Sequence, residues 1–411
     1  MGPTEDWRNL SSLYLARFGG HFLSLLLLPY LAPTLGPEHF GYLAYAQSLS
    51  VYAATILDLG TGLMGERAIA QKRGTEELRQ VAWQVYLTRA LLGGVGLLLL
   101  GVAGGIVPLG NPLLRDSVLL ALSASFINMA FPSPILVGLE KQRYAAFAGL
   151  AHQGALVLMT FLWVRKPEDL KLYLEFHLLL TSGNTMWGLA WMIATFGPPV
   201  WEPKGIAARI LAGRHLYLFQ LLAHVYTSLT PAFLFHLSSP KEAATYAIAE
   251  KVFKGIMGLW GSYFALVPPK LAYAARADIS AFSSMVVSYK RRALYFGLFL
   301  SALLFALSFT LPYLLGENYA KATTSLAFLA LVPPLVTYSN VLGLGVAFAK
   351  GRDSLLLGAI AVGATLFTLS CLLLCPRFGS LGGSLALLQG ELGVVLVLHV
   401  GLRRKGGLEK K

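Results

Sequence analysis

The sequence predicts an all-α integral membrane protein: about twelve transmembrane helices in two parallel-repeat six-helix lobes. Three observations predict it. Apolar residues come in long blocks nearly free of charge, lysine and arginine collect in alternate connections, and one passage recurs about two hundred residues further on.

The blocks come first. Only 13% of the 411 residues are charged, and mean hydropathy is +0.63. A soluble domain carries about 25% charged residues. Runs such as "FLSLLLLPYLAP" and "LLGGVGLLLLGVAGGIVPL" approach the roughly twenty residues that cross a hydrocarbon core of ~30 Å as a helix. They do not alternate, as β-barrel strands must. Span centres fall near Leu23, Ser50, Gly96, Ser125, Leu156, Leu180, Leu222, Ile256, Ala302, Leu335, Leu366 and Val394. The connections are too short to fold as soluble domains. The first block carries Arg17 and lacks a small-residue cleavage site, so it is expected to stay as span one.

The charges follow. With the N-terminus inside, 23 of the 33 lysines and arginines lie on the cytoplasmic side and 7 on the outer side. This bias puts both termini in the cytoplasm and makes the span count even. The outer "RKPEDLK" loop is more basic than the rule prefers. The net charge of +13 then reflects loops facing anionic membrane lipids. No basic-aromatic module points to nucleic acid, so no nucleic-acid partner is expected.

The recurrence is between "LGPEHFGYLAYAQSLS" (35–50) and "SSPKEAATYAIAEKVF" (238–253). Aligning Tyr42 with Tyr246 also aligns Glu38 with Glu242. The passages open spans two and eight. Six crossings return the chain to the same face, so the repeat is parallel, not inverted. The lobes are expected at 1–200 and 201–411, facing each other across a cleft that opens to either side. Pro132, Pro134, Pro333 and Pro334 are expected to kink the corresponding spans four and ten near their outer ends.

Ionisable groups inside spans cost roughly 2.5–3.5 kcal/mol each at the bilayer centre, so each asks for a reason. Span eight, "ATYAIAEKVFKGIMGLWGSYFALVPP", places Lys251 near mid-bilayer. Glu250 and Lys254 are spaced to pair at i, i+4. The set reads as a net positive charge facing a cavity, or else as an ion network tying helices together. Arg17 and Arg89 are candidate cavity cations that could equally snorkel to an interface. Asp58 precedes Gly60, Gly62 and Gly65. It reads as half of an ion pair, with Arg17 or Arg67 as partner, or as a substrate or ion contact. Glu391 is a candidate proton or cation site. His152, His177 and His224 read as scattered bundle histidines, and Cys371 and Cys375 as structural thiols. No metal site and no cofactor are expected. The H-E-x-x-H, G-x-S-x-G, P-loop and dinucleotide patterns are missing, which argues against an enzyme.

Leu35, Gly36, Pro37, Phe40 and Gly41, then Asp58, Leu59 and Gly60, then Arg67, Ile69 and Ala70, with "TYAIAEKV…VPPKLA" in the second half, form an ordered set. In it the chain resembles the polysaccharide (O-antigen-type) flippases of the multidrug/oligosaccharidyl-lipid/polysaccharide exporter superfamily. The resemblance implies a V-shaped pair of lobes around a central cavity, in the bacterial inner membrane. It implies alternating access and, as cargo, an isoprenoid-pyrophosphate-linked oligosaccharide taken from the cytoplasmic to the outer leaflet. An H+ or Na+ gradient or the membrane potential would drive transport, and a glycan polymerase or glycosyltransferases would be partners. A drug/cation antiporter of the same superfamily predicts acidic groups dominating the cavity, whereas these spans lean cationic. A polymerase or ligase predicts a large outer catalytic loop, whereas these loops are short. A scramblase would not need centrally buried lysine.

Overall fold

The computed structural model describes residues 3–106, 110–200, 213–277 and 279–404, with side chains except those of 3–22, 103, 105–106, 276–277, 279 and 404. The described residues are helical almost throughout and include no strand.

The helices are α1 (Pro3–Asp58), α2 (Thr61–Gln71), α3 (Leu78–Ile106), α4 (Pro112–Asn128), α5 (Ser133–Gly138), α6 (Gln142–Trp163) and α7 (Leu170–Phe196). They continue with α8 (Arg214–Ser228), α9 (Thr230–Leu237), α10 (Pro240–Phe264), α11 (Val267–Ala277) and α12 (Ile279–Ser308). Last come α13 (Leu311–Leu315), α14 (Lys321–Leu329), α15 (Pro333–Asn340), α16 (Asp353–Phe378) and α17 (Ser380–Arg404). All twelve expected span centres lie in these helices. Seven stretches, from Leu78–Val102 to Ser380–Arg403, are long and apolar enough to cross a membrane. The α8–α9 pair, bent by 52°, makes an eighth if it is one span. The two limbs of α1, with α7 and α10, supply the remaining long helices, so twelve crossings are compatible with the structure. Large side chains such as Leu98, Phe147, Met186 and Leu373 lie bare on the surface, as they do where lipid is the solvent. The chain is a multi-pass membrane protein.

α1 divides at Gly36 (φ 70, ψ 167), a conformation open essentially to glycine alone. Pro37 then starts the second limb, and Pro240 likewise opens α10 behind the Ser239 cap, a position where proline's fixed φ suits a helix start. The six-span repeat also shows in the turns between spans four and five and between ten and eleven. Glu140 (φ 60) follows α5, and the Lys141 N–H donates to Leu136 O at 2.8 Å. Gly351 (φ 65) occupies the same place, and the Arg352 N–H donates to Ala347 O at 2.8 Å. Both are left-handed closures that satisfy the last carbonyls of a helix. The proline breaks differ from expectation in position. Span four breaks at Met129–Pro132, nearer the Lys141 turn than its Asn111 start, and span ten breaks mid-span before Pro333. Each proline pair falls where a short second helix begins, so it sets a joint inside the span, not at its outer rim.

Packing separates residues 1–221 from 222–411. In the first unit α1 packs on α4 and α6, α4 on α3 and α7, and α2 on α3 and α5. Trp83, Ile69, Ile135 and Met192 are fully buried where α2, α3, α5 and α7 meet. In the second, α16 and α17 form the most extensive hairpin, α12 packs on α15, and α10 on α9 and α14. A methyl on Gly363 of α16 would lie 3.0 Å from the Gly390 carbonyl of α17, so the two backbones touch, as small residues permit between membrane helices.

The start of α10 is tied to two neighbours. Glu242 accepts from Lys321 Nζ at 2.8 Å and from the Ser380 N–H at 2.8 Å. Gly379 (φ +55) makes the bend before Ser380, and a Cβ there would lie 2.4 Å from Glu242 Oε2. Gly379→Ala is expected to cost about 2 kcal/mol from its left-handed backbone and the displaced carboxylate. Gly149→Ala, in open space on α6, is expected to be neutral or slightly stabilising. Thermal unfolding of the purified variants in detergent checks both. Outside the spans, the Arg165 and Lys166 N–H groups donate to Asp169 Oδ2 and hold its carboxyl below the usual carboxylate range.

Candidate functional site

Three polar clusters within the described helices hold the sequence-predicted site residues, one in the first unit and two in the second. In the first, Asp58 ends α1, and Leu59 (φ 48) with Gly60 (φ 75) turns the chain into α2. The turn aims the carboxylate inward. Asp58 Oδ2 accepts from the Gly62 N–H at 3.1 Å, and Oδ1 pairs with Arg89 Nη1 of α3. Arg89 Nε donates to Met129 O at 3.1 Å, at the break in span four. The pair is mostly covered, its side chains 18% and 14% exposed. A Cβ on Gly62 would meet Arg89 Nη1 at 3.0 Å and one on Gly65 would meet Val85 Cγ1 at 2.6 Å, so the glycines let α3 approach. The carboxylate's partner is thus Arg89, not Arg67, and the Arg89 charge is matched locally. The Arg17 side chain lies outside the described residues.

The second cluster is on α10. At 1.5 Å per residue, Lys251 lies about 16 Å from the helix start, close to half a hydrocarbon thickness. Glu250 Oε1 and Lys254 Nζ are 3.1 Å apart. Glu250 is 11% exposed, whereas Lys254 is 47% exposed. Lys251, about 100° around the helix from Glu250, is partly exposed and feels the charges of both neighbours. Lys254 in turn acts electrostatically on His224 of α8. The three α10 groups carry a net charge of +1, which favours an anion.

The third cluster surrounds Glu391 of α17, 6% exposed. Ser339 of α15 hydrogen-bonds its carboxyl, and Tyr226 of α8 lies within electrostatic range. Two residues back, about 200° around α17, Gln389 accepts from Ser370 of α16. Directly after Asn340 the helix widens into a π-helical stretch, Val341–Ala347, an irregularity frequent at functional sites. The Glu242–Ser380 bond puts the starts of α10 and α17 at one level. Lys251 and Glu391 each lie eleven residues beyond those starts, so they share a depth.

Sequence reading missed the pairing of His152 with His177. Their Nε2 and Nδ1 are 3.2 Å apart across α6 and α7. Twenty-five residues separate them, and only the register of the helical hairpin brings them together. Cys371 and Cys375 are buried free thiols. No metal-binding group of three or more ligands occurs among the described residues.

The fold has solved relatives among membrane transporters. The chain superposes on a structure described as lipid II flippase MurJ in an inward closed conformation, with a TM-score of 0.74 and 13% identity over 95% of this chain and 86% of that one. It superposes on an inward-facing multidrug resistance MATE family transporter of the MOP superfamily with a TM-score of 0.70 and 16% identity, over 96% and 94%. The fold is therefore that of the MOP-type membrane transporters. Residues 7–269 match the family model described as polysaccharide biosynthesis protein; the chain belongs to that family. Two curated relatives, from Escherichia coli K12 and Shigella dysenteriae, each carry the name "Putative O-antigen transporter". They are 21% and 23% identical, over 93% of both chains in the first case, and over 95% of this chain and 98% of the other in the second.

Proposed function

We propose that this protein is a flippase. It moves an isoprenoid-pyrophosphate-linked oligosaccharide from the cytoplasmic to the outer leaflet of the bacterial inner membrane by alternating access of two six-helix lobes. Both termini are cytoplasmic on this reading, and the protein performs no catalytic step of its own. The observation that carries the proposal is the net-cationic Glu250–Lys251–Lys254 group on α10 at mid-bilayer depth, in a chain of the polysaccharide biosynthesis family. A pyrophosphate loses its hydration on entering the membrane, and charge-assisted hydrogen bonds from lysine replace it. Lys251 and Lys254 are proposed to receive the headgroup. Asp58 and Arg89 hold the first-lobe joint. The sugar occupies the polar interior, and the isoprenoid stays in lipid. Family membership and the two curated relatives support this reading over a drug antiporter.

Glu391, at the depth of Lys251, is proposed as the seat of the coupling H+ or Na+. Glu391→Gln is expected to leave membrane abundance unchanged and to remove the dependence of transport on an imposed ion gradient. Flux measured in vesicles with and without the gradient checks this. Deleting the gene tests the function itself. Isoprenoid-linked glycan is expected to accumulate on the cytoplasmic leaflet; normal surface glycan in the deletion strain would refute the assignment.

A further inference from the structure

We propose that the turn between α5 and α6 and the end of α7 form a binding site for the phosphate headgroup of an anionic phospholipid. The observations are independent of the transport reading. Lys141 Nζ lies 5.8 Å over the Trp191 ring, and the Arg143 guanidinium lies 5.1 Å over the Tyr144 ring. The Tyr144 and Trp191 rings are themselves 6.5 Å apart. Two cations thus stand on one aromatic platform built from two helices. Lys141 and Arg143 are both exposed, and neither makes an ion pair among the described residues. Cations over aromatic rings keep their outward hydrogen-bonding directions for an incoming anion.

The platform is held in place from below. Glu140 takes a left-handed φ of 60°, which costs a side chain about 1–2 kcal/mol. The strain is offset by Arg73, whose Nε donates to Gly138 O at 2.6 Å and whose Nη1 pairs with Glu140 at 2.8 Å. That pairing also neutralises the nearby carboxylate, leaving Lys141 and Arg143 to set the local field. The Arg73 contact, and that of Arg79 Nη2 with Pro198 O at 3.1 Å, put all these basic residues at one end of the unit. Tryptophan and tyrosine beside lysine and arginine at helix ends mark the headgroup level of a bilayer. A headgroup phosphate there would meet both cations while its chains lie along the exposed face of α6 that carries Phe147.

The test uses the full chain in phosphatidylcholine vesicles, with Trp191 as reporter. Brominated phosphatidylglycerol is expected to quench tryptophan fluorescence more than brominated phosphatidylcholine at the same mole fraction. Local enrichment of about fivefold per basic residue is the expected scale. Trp191→Phe should remove most of that difference, because Trp191 is the tryptophan whose ring lies under Lys141. Lys141→Gln with Arg143→Gln should remove it while Trp191 remains. Equal quenching by the two lipids would overturn the proposal, as would a preference unchanged in Trp191→Phe, which needs no alteration of the charges. Loss of the preference on adding inorganic phosphate at constant ionic strength would assign a free-anion site instead and overturn the lipid assignment.

Discussion

Replacing Lys251 and Lys254 together with alanine is expected to lower glycan export about 100-fold, equivalent to ~3 kcal/mol, while the protein stays in the membrane at normal abundance. The size follows from depth. About 16 Å into the helix, bulk water is far from a bound pyrophosphate, and on the proposed reading each lysine would supply a charge-assisted bond to it. The double variant also leaves Glu250, 11% exposed, without its Lys254 partner, an uncompensated anion on the proposed path of another anion. Adding Glu250→Gln to the double variant is therefore expected to recover part of the flux. Surface glycan measured beside membrane abundance decides it. Normal export by the double variant would remove α10 as the headgroup site.

The second large effect belongs to stability. Asp58→Ala or Arg89→Ala is expected to cost about 3 kcal/mol, because each strands a covered charge. Arg89 would leave the Met129 carbonyl as well as the carboxylate. The cost is expected to be non-additive: Asp58→Asn with Arg89→Gln should be less destabilised than either alanine variant, since no charge is stranded. Thermal unfolding in detergent of the wild type, the two alanine variants and the Asp58→Ala/Arg89→Ala double variant, beside the Asn/Gln variant, measures the coupling. Additive losses would show that the pair does not hold the α1–α2 joint to α3.

Much of the architecture was legible because bilayer thickness disciplines sequence: apolar length and lysine placement act one span at a time. Glu38 and Glu242 aligned across the halves for the same reason, being local to helix starts. They differ in what they touch, however. Glu38 accepts from Tyr42 at 2.8 Å, whereas Glu242 binds Lys321 and the Ser380 backbone. Contacts between helices were much less legible. Asp58 with Arg89, His152 with His177, and Ser339 with Glu391 depend on helix rotation and register, which no single-helix pattern encodes. The Glu250–Lys254 pair was readable because i, i+4 geometry lies within one helix. Pro132 and Pro333 announced breaks, but where those breaks sit in the spans depends on how long each short second helix runs.

The most direct measurement places the purified protein in sealed vesicles with an isoprenoid-pyrophosphate-linked oligosaccharide and follows its arrival on the opposite leaflet with an enzyme that acts only there. Transfer is expected with the wild-type chain, and its loss on replacing Lys251 and Lys254. Transfer at equal rates in both, or in protein-free vesicles, would contradict it.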